Sequence, residues 1–426
     1  MTGGRQKSAV QATDFSALTR DGPGLANFGK EWDQSRRDEG LAGRSLQLDD
    51  ISITSEFEGG NGMDMGRIGP DAYFVRCEPD PGEHRFSGKS YYFCFAIWNP
   101  RPVARKIAIR IAAHGWNYFG SQTQHYIARR GDSWQVLGEE FCRRSFADNE
   151  GDLVEIDVTL PPGTGEDPVV VVSNFHWNRY TELREWLATL PARAEQREVG
   201  KSAGGLPIAA VEIGDRSKPA ILIAQTSQPS ELGCTPVIQA MICHLQQDTD
   251  HIRSLRDNLR FCFLPMTNPD GQLRGLTVST PGGRFPVFEG DKAVRGDADT
   301  VHEANVLWSY LRALKPAIYF EWHTNNWSRR PGNMLLRYRH ELNPDPAIQH
   351  AWVELEDAIL KLPNTHHENF TSHTEGPYQP TMGFQAATQL GAISTIVKHH
   401  EKYPIQDSIS FGISCLELAA AQLMKM

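Results

Sequence analysis

The residues that could do chemistry in this chain gather at the ends of apolar runs. Ile221–Ala224 reads as a buried strand, Gln225–Glu231 as a polar turn, and Gly233–Leu245 as a helix. Turns at the carboxyl ends of strands are where open α/β sheets place their sites. Gln228 and Glu231 stand three residues apart at the mouth of this turn, so their side chains can converge on one point, as metal ligands do. The plain alternative is a strand-to-helix crossover with Glu231 in the first helical turn, where the helix dipole favours a carboxylate. Further on, Ala317–His323 reads as a strand whose end carries an imidazole, and Asn268-Pro269-Asp270-Gly271 is a turn at the end of another strand.

The elements that must position these groups follow from the pattern of the whole chain. Its 426 residues are 40% hydrophobic and 22% charged with a formal net charge of -9, the profile of a globular protein of two or three domains. The acidic balance and the lack of a long basic run argue against nucleic acid. No run approaches the roughly 18 apolar residues of a membrane span, and no apolar leader opens the chain. The seven scattered cysteines form no CxxC pair and read as reduced, buried thiols of a cytoplasmic protein.

Residues 1–48 are polar and read as an arm. From 49 to 173 the texture is all-β, with short runs such as Ile51–Phe57, Ala72–Arg76, Tyr91–Trp98, Ala104–Ile111, Val154–Leu160 and Val169–Ser173 punctuated by Gly, Pro, Asn and Asp. This spacing predicts an antiparallel β-sandwich. From 174 to 426 strands and helices alternate, which predicts an α/β domain built on a mixed sheet with helices on both faces. Helices are expected near Thr181, over Gly233–Leu245, Thr300–Leu314, Ala351–Leu362 and Ser408–Met424. Strands are expected over Leu206–Ile213, Ala220–Ala224, Leu259–Pro265, Ala317–His323 and Ala392–Val397.

Four pieces in chain order resemble the zinc carboxypeptidases of the carboxypeptidase A type, and most closely their cytosolic branch, which carries a β-sandwich before the catalytic domain. Gly200–Ile208 is similar to the opening of that catalytic domain. Gln228-Pro229-Ser230-Glu231 stands where the branch has His-Pro-Gly-Glu. Leu264–Gly271 is similar to its Val-Pro-Met-x-Asn-Pro-Asp-Gly, and Phe320–His323 to its Ile-Asp-x-His. The resemblance implies one zinc ion held by Gln228, Glu231 and His323. It implies a metal-activated water and a late glutamate acting as general base. It also implies arginines that grip the terminal carboxylate of a peptide or small amide substrate.

The sequence departs from that pattern at two places. Gln228 replaces an imidazole with a neutral amide oxygen, a poor zinc donor. The family's Thr-x-Glu aligns with Thr395-Ile396-Val397, leaving Val397 at the base position. If the strand continues, residues 397, 399 and 401 share a face, and His399 and Glu401 become candidates for the base. A slip of one residue presents Lys398 and His400 instead, and a solvated loop presents neither. A second cluster, His366-His367-Glu368 with His373, could lend a ligand or simply face solvent in a loop. Arg274 is the candidate for stabilising the oxyanion, Arg284 for binding carboxylate, and Tyr378 for covering the substrate. Glu321, two residues before His323, could orient an imidazole. Two functions remain open: metal-dependent amide hydrolysis near a C-terminal carboxylate, or a pseudoenzyme that keeps the pocket for binding a peptide or small carboxylate. A different amide chemistry on the same scaffold is a third reading.

Overall fold

The computed structural model describes residues 44–82, 88–113, 126–131, 133–138, 142–147, 151–165, 168–176, 178–325, 332–368, 380–400 and 404–426. Most of the polar arm, together with Tyr378, His373 and Glu401, lies outside the described residues.

Eleven strands come first: β1 (Ser45–Leu48), β2 (Ile51–Thr54), β3 (Met63–Gly69), β4 (Ala72–Arg76), β5 (Cys94–Trp98), β6 (Arg105–Ala112), β7 (Tyr126–Arg130), β8 (Ser133–Leu137), β9 (Cys142–Ala147), β10 (Gly151–Leu160) and β11 (Val169–Ser173). They form two sheets, β1-β2-β5-β11-β7-β8 and β3-β4-β6-β10-β9. One core joins the sheets. Ile53, Phe95 and Val171 from the first meet Val75, Ile109 and Ile156 from the second. Alternation along β6 shows why: Ile107, Ile109 and Ile111 are buried while Lys106 and Arg110 face outward. Every pair is antiparallel except β4 with β6, which run parallel. The last residues of the expected arm form β1, an edge strand on β2.

The rest of the chain supplies α1 (Tyr180–Ala188), β12 (Glu195–Lys201), β13 (Pro207–Gly214), β14 (Ala220–Gln225), α2 (Cys234–His244), α3 (Asp250–Asn258), β15 (Arg260–Leu264), α4 (Pro269–Leu273), α5 (Gly290–Arg295), α6 (His302–Leu314), β16 (Ile318–Asn325), β17 (Asn333–Arg337), α7 (Pro346–Leu360), β18 (Thr365–Glu368), α8 (Met382–Leu390), β19 (Ile393–His400) and α9 (Ile405–Lys425). The mixed sheet runs β12-β13-β15-β14-β16-β19-β17-β18, with β15, β14, β16 and β19 parallel at its centre. Strands covered on both faces read as unbroken apolar runs, and β14 is buried at every position. Ile221 and Ile223 pack into the core with α2, α7 and α9, whereas Leu222 and Ala224 pack with α6 and α8. Each such fully buried aliphatic side chain contributes roughly 2 kcal/mol. Local chemistry sets the helix ends. Thr249 and Thr381 cap α3 and α8 through their hydroxyls, Asp345 caps α7 ahead of Pro346, and Gly391 ends α8 in the left-handed region.

The sandwich is fastened to the mixed sheet by polar contacts. Asp80 is 2% exposed, and its carboxylate accepts three consecutive backbone N–H groups, from Thr277 (2.7 Å), Val278 (2.8 Å) and Ser279 (2.9 Å). Asn61 donates to Gly275 O, and Glu58 accepts from the N–H and hydroxyl of Thr181 at the start of α1. Gly82 and Gly283 meet backbone to backbone. A Cβ on Gly82 would lie 2.1 Å from Gly283 O, and both glycines have positive φ. Among the described residues, the free cysteines are buried except Cys243, which is exposed, so the expectation of buried thiols fails there.

Two predictions follow from these contacts. Asp80→Ala strands three buried N–H donors and lowers unfolding free energy by about 3 kcal/mol or more, read from chemical denaturation. The second concerns α9, where Glu417 Oε1 and Oε2 each lie 2.7 Å from an imidazole nitrogen, His244 of α2 and His251 of α3. The His244 hydrogen bond, opposed by partial burial and aided by His251, holds this carboxyl below its ordinary value of 4.5. A depressed folded value means the stabilisation is complete above the unfolded pKa and disappears as pH falls through the folded one. The stability difference between wild type and Glu417→Gln is therefore expected at about pH 5.5 and should shrink towards about pH 3. A difference that stays constant over that range would contradict it.

Candidate active site

The polar turn after β14 is held on three sides. Thr226 N donates to Trp322 O on β16 (2.8 Å), and Asn268 Nδ2 donates to Ser227 O (3.0 Å). Ser230 Oγ donates to Thr277 O (2.7 Å), on the loop that Asp80 clamps. Asn268 can do this because its own Oδ1 caps α4 through Gly271 N. The Asn-Pro-Asp-Gly piece is thus a brace for the turn. Its Asp270 accepts from Ser202 Oγ and Gly204 N and so ties down the loop between β12 and β13.

Glu231 lies ahead of α2, whose N-cap is Gly233, so it is not in the first helical turn. Its carboxylate is 4% exposed and points across to the end of β16, where Oε2 accepts from Thr324 N (2.8 Å). His323 is 3% exposed and stands between two carboxylates. Its Nε2 lies 3.0 Å from Glu321 Oε1, and its Nδ1 lies 3.1 Å from Glu231 Oε2, at ion-pair distance but off the line of a hydrogen bond. Burial alone would raise the Glu231 pKa. The charges of His323 and Lys398 and the Thr324 N–H outweigh it and hold the carboxyl below its usual range. For His323, burial works to lower the pKa, but the Glu231 charge overcomes both that and Lys398, and the pKa rises.

The neighbouring strand β19 decides what faces this pair. It runs to His400, three residues beyond the expected end, and pairs in parallel register with β16: Trp322 with Val397, His323 with Lys398, Thr324 with His399. Residues paired across parallel strands point to the same face. Lys398, 5% exposed, therefore stands beside His323, and its charge acts on Glu231. Val397 and His399 do share a face, as alternation predicts, but it is the face covered by α9. There His399 Nδ1 accepts from Trp322 Nε1 (3.0 Å), the two rings stack, and Trp322 packs on Phe411. Val397 and His399 are thus turned away from Glu231, and the alternative register, with Lys398 and His400, is the one observed.

The remaining candidates are dispersed. Gln228 is half-buried; its backbone bonds Thr226 Oγ1 and Glu231 N, and its side chain makes no hydrogen bond among the described residues. Arg274 ends α4 with its side chain exposed. Arg284 is half-exposed and paired with Glu289 (2.7 Å). His366 and His367 lie on β18, at the sheet edge and two strands beyond β19. The sequence carried no signal for Asp80. For Lys398 the only signal was parity, which the unbroken apolar run before it conceals.

Zinc in enzyme sites takes three protein ligands from imidazole, thiolate and carboxylate. Of the three positions the resemblance implies, Glu231 and His323 supply one carboxylate and one imidazole, and Gln228 could add only an amide. The imidazole and carboxylate are in direct contact, the carboxylate already accepts a backbone N–H, and an ammonium stands beside them. Among the described residues, no three His, Cys, Asp or Glu side chains are grouped to hold a metal. The donor set does not fit a catalytic zinc. Glu231→Ala removes one partner of a buried pair and should cost about 3–5 kcal/mol in denaturant unfolding. A loss under about 1 kcal/mol would show the pair to be solvated.

The chain is similar to known proteins in part of its sequence and in its fold. Residues 180–285 match the zinc carboxypeptidase family, a stretch that holds Gln228, Glu231 and Asn268 but ends before His323 and Lys398. Cytosolic carboxypeptidase 1 of Gallus gallus and that of Homo sapiens are each 26% identical over 110 residues, 25% of this chain and 9% of the relative's length. Among solved structures, a putative carboxypeptidase from Burkholderia mallei superposes with a TM-score of 0.72 at 18% identity, covering 89% of this chain and 98% of its own. A metallo-carboxypeptidase from Pseudomonas aeruginosa, solved with (2-guanidinoethylmercapto)succinic acid, superposes at 0.71 with 12% identity, covering 87% and 99%. Over residues 180–285, then, the chain is similar in sequence to the zinc carboxypeptidase family, and over most of its length it shares the fold of these solved carboxypeptidases.

Proposed function

We propose that this chain is a non-hydrolytic carboxypeptidase-like protein, which uses the scaffold to bind a peptide or small carboxylate-bearing amide without cleaving it. The observation that carries this reading is Lys398 in register with His323 and acting on Glu231. Hydrolysis on this scaffold needs a metal-activated water and a proton acceptor. A protonated lysine has no lone pair to accept a proton, and its charge repels a divalent cation from the place where the metal would sit. Contact with His323 and the nearby charge of Lys398 favour the ionised form of Glu231. Gln228 in place of an imidazole, and Val397 at the base position with Lys398 the residue that faces the pair instead, fall on the two functions that hydrolysis cannot do without, and such losses compound.

Arg274 and Arg284 are the guanidinium groups that the resemblance implies for a carboxylate ligand, and Arg284 would have to leave Glu289 to bind one. The likeness to cytosolic carboxypeptidase 1 supports a cytoplasmic setting. No helix among the described residues is long and apolar enough to cross a membrane.

Metal analysis of the purified protein together with turnover of acyl-amino acid substrates tests the reading. Wild type should hold far less than one zinc per chain, hydrolyse nothing above background, and melt at the same temperature with and without a chelator. Gln228→His with Lys398→Glu should gain zinc. Stoichiometric zinc in wild type, with turnover abolished by Glu231→Gln, would sink the proposal.

A further inference from the structure

Arg284 stands on the loop that braces the turn after β14. Thr277 of this loop accepts from Ser230 Oγ, and Thr280 N donates to Arg284 O (2.8 Å). Just beyond Arg284, Pro286 and Val287 line a small recess together with Ser227, the neighbour of Gln228. The Arg284 side chain is held by the chain's own carboxylates. Its Nη2 lies 2.7 Å from Glu289 Oε1 and 3.8 Å from Asp299 Oδ2. Lys292 of α5 meets the same two groups, with Nζ 3.5 Å from Glu289 Oε2 and 3.0 Å from Asp299 Oδ2. Two cations thus share two carboxylates, and each carboxylate touches both cations.

The four groups are not equally free. Glu289 is 8% exposed, and a buried carboxylate stripped of its cation is strongly destabilising. Glu289 can therefore release Arg284 only while another cation stays with it. Lys292 is that cation, placed at the other oxygen. The Asp299 side chain is 65% exposed and that of Arg284 39%, so a ligand can reach both. The hydrogen bond from Lys292 holds the Asp299 carboxyl below its ordinary range, and the same bond raises the pKa of the Lys292 ammonium. Both are charged at neutral pH.

We propose that the Arg284 guanidinium is self-inhibited: Glu289 and Asp299 occupy it in place of a ligand's carboxylate, and Lys292 keeps both when Arg284 turns to a ligand. This rests on the carboxylate-binding reading above and names the regulation of that site. Binding is an exchange of partners. The ligand's carboxylate takes the guanidinium, whose planar fork suits it bidentately. Glu289 and Asp299 stay on Lys292, so no buried charge is left alone. Removing either internal carboxylate frees Arg284, whereas removing Lys292 ties Arg284 more firmly to Glu289. The two kinds of change therefore move ligand affinity in opposite directions.

The test is calorimetric titration of the full chain with N-benzoylglycine at fixed ionic strength, with N-benzoylglycinamide as the control that lacks the carboxylate. Wild type should bind the acid in preference to the amide. Asp299→Asn should bind the acid about threefold to fivefold more tightly, the range an exposed ion pair supports. Glu289→Gln should tighten it as well. Lys292→Gln should weaken acid binding and Lys292→Arg should restore it. Asp299 is exposed, so its variant keeps the test open if Glu289→Gln does not fold. Acid binding by wild type that Asp299→Asn and Lys292→Gln leave unchanged overturns the self-inhibition and leaves the carboxylate reading standing. If neither wild type nor Asp299→Asn prefers the acid to the amide, both are overturned.

Discussion

Two parallel strands in register cannot show different parities to the same face, and the site depends on that constraint. Once His323 is fixed on β16, pairing with β19 assigns Lys398 to the site and sends Val397 and His399 to the α9 side. The Trp322–His399 hydrogen bond and the packing of Trp322 on Phe411 anchor that assignment from behind. A slip of one residue would have to bury Lys398 against α9 and break this stack, so the register is held by the core as much as by the backbone.

The turn that carries Gln228 and Glu231 has little stability of its own. Its supports are borrowed: a carbonyl from β16, an amide from Asn268, and the 277–279 loop whose N–H groups end on Asp80. The β-sandwich is therefore part of the scaffold of the turn. The ionic cluster needs this rigidity, because a buried carboxylate is tolerated only while its partners stay within contact distance.

Much of the architecture was legible in the sequence. Long apolar runs and clear alternation marked β6, β14, β15 and β16, and α2, α6 and α9 were placed to within a few residues at most ends. Short or polar elements were not. The sequence EQREVGK of β12 carries no hydrophobic period and is strand only because it lies on β13. Helix α8 is only nine residues long, and β17 takes its identity from pairing with β19. At the site, Glu231 and His323 could be found because motif and strand end coincide. Lys398 could not, because Ile393–Val397 is buried on both faces and a run buried on both sides tells nothing about parity. Asp80 was invisible, since its importance lies in three N–H groups nearly two hundred residues away.

The contact between Gly82 and Gly283 has a consequence for modularity. Neither backbone leaves space for even a methyl group on the other, so the two halves of the chain meet there with no side chain to adjust the fit. An interface of that kind cannot be retuned by gradual substitution, as an interface of interlocking side chains can. The sandwich and the mixed sheet are thus not interchangeable parts. A sandwich taken from a distant relative would have to bring a glycine to this point, and a carboxylate to the place of Asp80, before the turn bearing Glu231 could form beside it.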